Sequence, residues 1–163
     1  MVSNLPVGLK NSTCAFSGHR SLDEDFSREI LKLELEEIIR SGYDTFLTGM
    51  AIGFDTECFL ALDELKKTYT AIKICAVIPC ADQDKSFDEN SKKLYAELLQ
   101  KADYTAREEK NYFRGCMLKR NDFLIDNSSL LYAYYDGRKT GGTYYTVNKA
   151  QKKGLTVKIY NNL

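Results

Sequence analysis

Short β-rich apolar runs alternate along this chain with longer segments of helical period, the pattern of βα units winding a mainly parallel sheet. Six such runs are predicted as strands: Thr13–Phe16, Thr45–Leu47, Ile72–Ile78, Ala102–Thr105, Leu130–Tyr135 and Thr156–Tyr160. Five helical patterns lie between or after them, over Glu24–Ser41, Phe54–Tyr69, Ser86–Lys101, Asn111–Asp126 and Thr143–Lys153. In the first, Phe26, Ile30, Leu31, Leu35, Ile38 and Ile39 recur on one face and leave Glu34, Glu36 and Glu37 toward water. The expected fold is therefore α/β and Rossmann-like, three layers with a mainly parallel sheet of about six strands. With 163 residues, no internal repeat and no linker composition, residues 1–163 are expected to form a single domain.

Composition narrows the function classes. Twenty-three basic side chains balance 23 acidic ones, which argues against nucleic-acid binding by bulk charge. The balance is uneven along the chain, since residues 107–163 carry 11 basic and 5 acidic side chains, so a local cationic pocket stays open. Five scattered cysteines without a C-x-x-C pair suit reduced core thiols, and one histidine offers little for a metal; no cofactor is implied. No apolar run approaches the ~20 residues that cross a bilayer, and no signal-peptide pattern opens the chain, so a cytoplasmic protein without a membrane partner is expected.

Six of the ten glycines, Gly18, Gly49, Gly53, Gly137, Gly141 and Gly142, lie just beyond predicted strand ends. Open α/β sheets bind ligands at that edge, where glycine permits close backbone approach and helix N-termini favour anions. Any one of these loops is explained by turn chemistry alone. Three together, Ser17-Gly18-His19-Arg20, Thr48 to Gly53 and Gly137 to Thr143, point to a phosphate cradle that is neither a Walker loop nor a G-x-G-x-x-G turn. Arg20 is suited to a phosphate, and Ser17 and Thr48 carry hydroxyls at strand ends. His19 either bonds a neighbouring loop or serves catalysis. Asp55 stands near a helix start, where capping is its first expected role and recognition of a ligand hydroxyl its second. On the helix from Asn111, Phe113, Met117, Arg120 and Leu124 share one face, so Arg120 lies in line with the apolar stripe and calls for an anion or a cavity. Asn121 adds an amide beside it. Among the tyrosines, Tyr132 and Tyr134 read as core, whereas Tyr144 and Tyr145 are expected near a ligand.

Phe16-Ser17-Gly18-His19-Arg20, Thr48-Gly49-Met50-Ala51-Ile52-Gly53-Phe54-Asp55, Lys119-Arg120-Asn121 and Thr140-Gly141-Gly142-Thr143 together resemble the SLOG superfamily, and within it the YpsA-like family of small bacterial proteins. The resemblance spans nearly the whole chain. It implies a Rossmann-like domain binding a nucleotide or nucleotide derivative through Ser17, Gly18, His19, Arg20, Thr48, Gly49, Gly53, Asp55, Arg120, Asn121, Gly141, Gly142 and Thr143, and a possible homodimer. The superfamily also includes LOG-type phosphoribohydrolases, which read M-H-x-R-K before the fifth strand and P-G-G-x-G-T-x-E-E after it. Met117 and Arg120 keep the first spacing, but the paired glutamates fall on Tyr145 and Thr146. Cleaving an N-glycosidic bond passes through a cationic sugar that a carboxylate would stabilise. Asp55, Glu57 or Asp136 would have to substitute. The leading expectation is thus a nucleotide-binding sensor or regulatory protein without strong catalysis, with no catalytic residue assigned. The alternative is hydrolysis of a nucleoside 5′-monophosphate. A third, single-stranded nucleic-acid binding, draws on the DNA-processing protein A family, whose accessory DNA-binding parts 163 residues cannot hold.

Overall fold

The structure is a computed structural model and is described here for residues 1–162. The strands are β1 (Val2–Ser3), β2 (Thr13–Gly18), β3 (Thr45–Thr48), β4 (Lys73–Ile78), β5 (Tyr104–Arg107), β6 (Leu130–Tyr134) and β7 (Thr156–Ile159). The α-helices are α1 (Arg28–Arg40), α2 (Phe54–Leu65), α3 (Glu89–Lys101), α4 (Cys116–Asp126) and α5 (Gly141–Lys152). Among the described residues they form one seven-stranded sheet in the order β1-β5-β4-β3-β2-β6-β7. Every pairing is parallel except the edge pair, in which Val2 faces Arg107 and Ser3 faces Ala106 antiparallel.

Alternation along each strand builds the two cores. Cys14 and Phe16 of β2, Phe46 of β3, Ile74 and Ala76 of β4, and Tyr132 and Tyr134 of β6 point to the face covered by α1, α2 and α3. Ala15, Leu47, Cys75, Val77, Leu131 and Ala133 point to the opposite face, against Leu124 and Ile125 of α4 and Val147 and Ala150 of α5. The chain winds outward from β2 to β5, then returns through α4 to place β6 on the other side of β2. The crevice between the carboxyl ends of β2 and β6 is therefore the topological switch point of the sheet, the place where such folds bind ligands. All five cysteines are buried and free. No helix among the described residues is long and apolar enough to cross a membrane.

The seventh strand and several helix starts differ from the pattern reading. β1 has only two residues, too few for alternation to register, and it exists because β5 offers an unpaired edge. Helix α1 begins at Arg28 rather than Glu24 because Ser27 caps it, its hydroxyl accepting from Ile30 N at 3.3 Å. Helix α3 begins at Glu89 because Asp88 does the same for Ser91 N. Helix α4 begins at Cys116, five residues later than expected, since Tyr112 N is spent on Asp82 Oδ1 and Gly115 turns the chain at φ 89°. Helix α5 begins at Gly141, two residues earlier than expected.

One core group is left unpaired. The Tyr132 side chain is wholly buried and its hydroxyl has no hydrogen-bond partner, at a cost of roughly 1 kcal/mol or more. Tyr132→Phe removes that oxygen without opening a cavity of consequence. Differential scanning calorimetry is expected to show a melting temperature raised by about 2–4 °C.

Candidate functional site

A cavity of about 500 Å³ opens at the switch point between β2 and β6. Four segments wall it. From the end of β2 and the loop after it come Phe16, Ser17, Gly18, His19, Arg20 and Ser21; from the β3–α2 connection, Ala51; and from the first turn of α2, Asp55. Helix α4 presents Met117, Arg120, Asn121 and Leu124, and the loop after β6 presents Arg138 and Thr140, running into Gly141, Gly142 and Thr143 of α5.

Thr48, Gly49 and Gly53 do not line the cavity but build the layer beneath it. The Thr48 hydroxyl is buried and accepts from Met50 N at 3.2 Å, bending the chain through a left-handed Met50 at φ 57°. The Gly49 carbonyl accepts from Arg120 Nη1 at 2.5 Å and from Gln83 Nε2 at 2.9 Å. A Cβ on Gly49 would stand 2.7 Å from Arg120 Cζ, so only glycine lets that guanidinium reach the loop. Gly53, at φ 86°, packs so closely on the Arg20 backbone that a Cβ would lie 2.6 Å from its Cα. The first two glycine loops are thus fitted to one another through these contacts.

Arg120 is buried as its helical spacing required, with 8% of its surface exposed. Its Nε donates to Asn121 Oδ1 at 2.8 Å, which turns the Asn121 amide nitrogen toward the α5 N-terminus near Gly142. Burial lowers the Arg120 pKa, the Asp55 carboxylate opposes that shift, and the nearby charge of Arg20 adds to it. Arg20 itself is exposed and takes part in no ion pair among the described residues. Both guanidinium charges act on the Asp55 carboxyl without forming an ion pair with it among the described residues, so positive charge stands in excess at this part of the cavity wall.

Asp55 caps no helix. The N-cap of α2 is Gly53 without a side-chain bond, and Asp55 Oδ2 instead accepts from Ala51 N at 3.2 Å within the preceding loop. Its Oδ1 is buried with no partner. Burial pushes its pKa from an ordinary 3.8 up to about 6, against the pull of the Arg120 charge and the Ala51 hydrogen bond. The Asp55 carboxyl thus lines the cavity with one oxygen buried and unsatisfied.

His19 lies at the rim, its Nε2 3.3 Å from Asp136 Oδ1 and 3.4 Å from Asp136 N. Arg138 grips the same carboxylate through Nε and Nη2, which holds the Asp136 pKa well below the usual carboxylate range. Opposite, Thr140 precedes α5 without a side-chain cap bond, so the first-turn N–H groups of α5 have no capping side chain.

Tyr144 and Tyr145 do not reach this cavity. Thr143, Thr146, Val147 and Ala150 occupy the buried face of α5, which turns Tyr144 and Tyr145 outward beside Asn148 and Lys149. The Tyr145 hydroxyl donates to Asp122 Oδ1 at 2.9 Å, and the buried Thr146 hydroxyl donates to Gly142 O at 2.8 Å. The two positions that stand in for the paired glutamates are thus both committed to the scaffold. Gln83, by contrast, carried no sequence signal, yet it holds the Gly49 carbonyl from 34 residues away.

Sheet order, switch-point cavity and glycine loops together define a Rossmann-like α/β protein. The chain belongs to the YspA SLOG family, whose model matches residues 14–161. Among its relatives, the uncharacterized SPbeta prophage-derived protein YoqJ of Bacillus subtilis (strain 168) is 33% identical over 134 residues, covering 74% of this chain and 78% of the relative. The UPF0398 protein YpsA of the same organism is 27% identical over 130 residues, covering 78% and 72%. The X-ray structure of TM1055 superposes with a TM-score of 0.55 at 14% identity, covering 90% of this chain and 72% of that one, a likeness of fold.

Proposed function

We propose that this protein binds a nucleotide or nucleotide derivative in the switch-point cavity and acts as a sensor or regulatory protein rather than as a strong catalyst. The observation that carries this reading is the convergence of Arg20 and Arg120 with the uncapped start of α5 around one cavity. A phosphate there meets two guanidinium groups and a helix N-terminus. The volume suits a ligand of nucleotide size. Asp55 lines the same cavity, and its carboxyl is the acceptor we assign to a sugar hydroxyl or a base N–H.

Family membership is compatible with this reading, and the scaffold roles of Tyr145 and Thr146 favour binding over turnover. Melting the protein with a panel of nucleoside mono-, di- and triphosphates and nucleotide sugars tests it. At least one ligand is expected to raise the melting temperature in a saturable way, by several degrees at about 100 times its Kd. A panel with no shift at millimolar concentrations would refute nucleotide binding.

One observation keeps hydrolysis as a second reading. A carboxyl with a pKa of about 6 inside the cavity has the proton affinity of a general acid or base near neutral pH. Were Asp55 to take the place of the missing glutamates, a nucleoside monophosphate would release free base and ribose 5-phosphate, and Asp55→Asn would abolish that release. The binding reading expects neither product.

A further inference from the structure

A second concavity, of about 190 Å³, lies on the other side of the Asp136 loop. Its floor is aromatic. Phe26 stacks on Tyr160 with ring centroids 5.3 Å apart, and Tyr134 meets Tyr160 at 5.4 Å and Phe26 at 6.1 Å. Both phenolic hydroxyls are turned into the chain leading to α1: Tyr134 Oη accepts from Asp23 N at 2.9 Å, and Tyr160 Oη accepts from Ser27 N at 2.8 Å. Tyr134 is buried in the core beneath the other two rings, so the half-buried rings of Phe26 and Tyr160 supply the aromatic surface of the concavity.

Its rim is acidic. Asp23, Asp25 and Asp136 surround the rings. Asp136 is taken by Arg138, and Asp23 feels the same guanidinium at longer range. Among the described residues, however, neither Asp23 nor Asp25 forms an ion pair of its own. No three acidic, histidine or cysteine side chains are grouped here as metal ligands. The chemistry that fits is a cation with an apolar skin, attracted by ring faces and neutralised by carboxylates without demanding a full oxygen shell.

We propose that this aromatic and acidic pocket binds a compact organic cation, an alkylated ammonium or a guanidinium group. The cation seats on the Phe26–Tyr160 surface, with Tyr134 packed beneath, while Asp23 and Asp25 balance its charge. The proposal is independent of the nucleotide reading, since it uses none of the residues assigned there to phosphate, sugar or base.

The test is an NMR titration of the full chain that follows the ring signals of Tyr134 and Tyr160, with tetramethylammonium chloride, N-acetyl-arginine amide and, as ionic-strength control, sodium chloride. Saturable shifts are expected with at least one of the two organic cations and not with sodium chloride. Saturation by tetramethylammonium alone identifies a free alkylammonium as the fitting source, and saturation by the arginine amide identifies an arginine side chain. Asp23→Asn combined with Asp25→Asn changes only exposed side chains and is expected to weaken binding about tenfold. Phe26→Leu keeps an apolar filler, loses the ring face and is expected to weaken it by a similar factor. Linear responses matching sodium chloride, or binding unaffected by both variants, would overturn the proposal.

Discussion

Arg120→Ala is expected to weaken binding of any phosphate-bearing nucleotide by at least about a hundredfold, the scale found when one partner of a buried charge-assisted contact is truncated. The same change removes the donor that holds the Gly49 carbonyl and the positive charge that offsets Asp55. The unliganded protein should therefore also lose about 1–3 kcal/mol of stability, the scale on which buried acceptors left short of a donor are penalised. Arg120→Lys separates the two effects. An ammonium keeps the charge, but it cannot donate from Nε to Asn121 and from Nη1 to Gly49 at once, so stability should recover more than affinity. Calorimetric titration together with thermal melting reads both. An alanine variant that binds nucleotide as the parent does would remove Arg120 from the site.

Asp55→Asn is expected to act in the opposite direction on the unliganded protein. The folded-state pKa of Asp55 is raised to about 6 from an ordinary 3.8, so folding favours its protonated form. Stability is then highest at low pH, falls as pH climbs from about 4 to 6, and stays at the lower level above that. The shift corresponds to about 3 kcal/mol at most. Asparagine supplies a neutral group of the same shape, so at pH 7.5 the variant should melt several degrees above the parent. At pH 4 the difference should vanish, because the native carboxyl is then protonated as well. A gain of equal size at both pH values would show that ionisation of Asp55 is not its cause. Ligand affinity should fall in the same variant, since the cavity wall loses a carboxylate acceptor.

The parts of this molecule that sequence conveys are those set by local periodicity. Short apolar runs over β2, β4 and β6 announced strands of a mainly parallel sheet, and the spacing of Met117, Arg120 and Leu124 placed a guanidinium where only a cavity or counter-charge would accept it. Contacts made at long range left no such mark. Val2 and Ser3 become a strand only because β5 lies open beside them. The link from Gln83 to Gly49 has no local signature. Asp55 shows the limit most clearly. Its position near a helix start suggested capping, but the left-handed Met50 and the Gly53 turn bring Ala51 N to its side chain instead, which leaves one oxygen buried without a partner. Tyr144 and Tyr145 erred in the other sense: nearness in sequence to Gly142 and Thr143 did not bring them to the cavity, because the helix carries them around its axis to the outer face.

Nucleotide binding at the switch-point cavity is tested most directly by letting the protein choose its ligand. Wild-type protein and Arg120→Ala would each be incubated with the same extract of bacterial small molecules, washed, denatured, and the released compounds weighed by mass spectrometry. Enrichment of a phosphorylated nucleoside on the wild type, and its loss from the variant, is the result expected. Equal recovery from both proteins, or wild-type protein that retains no nucleotide-derived mass, would contradict the assignment.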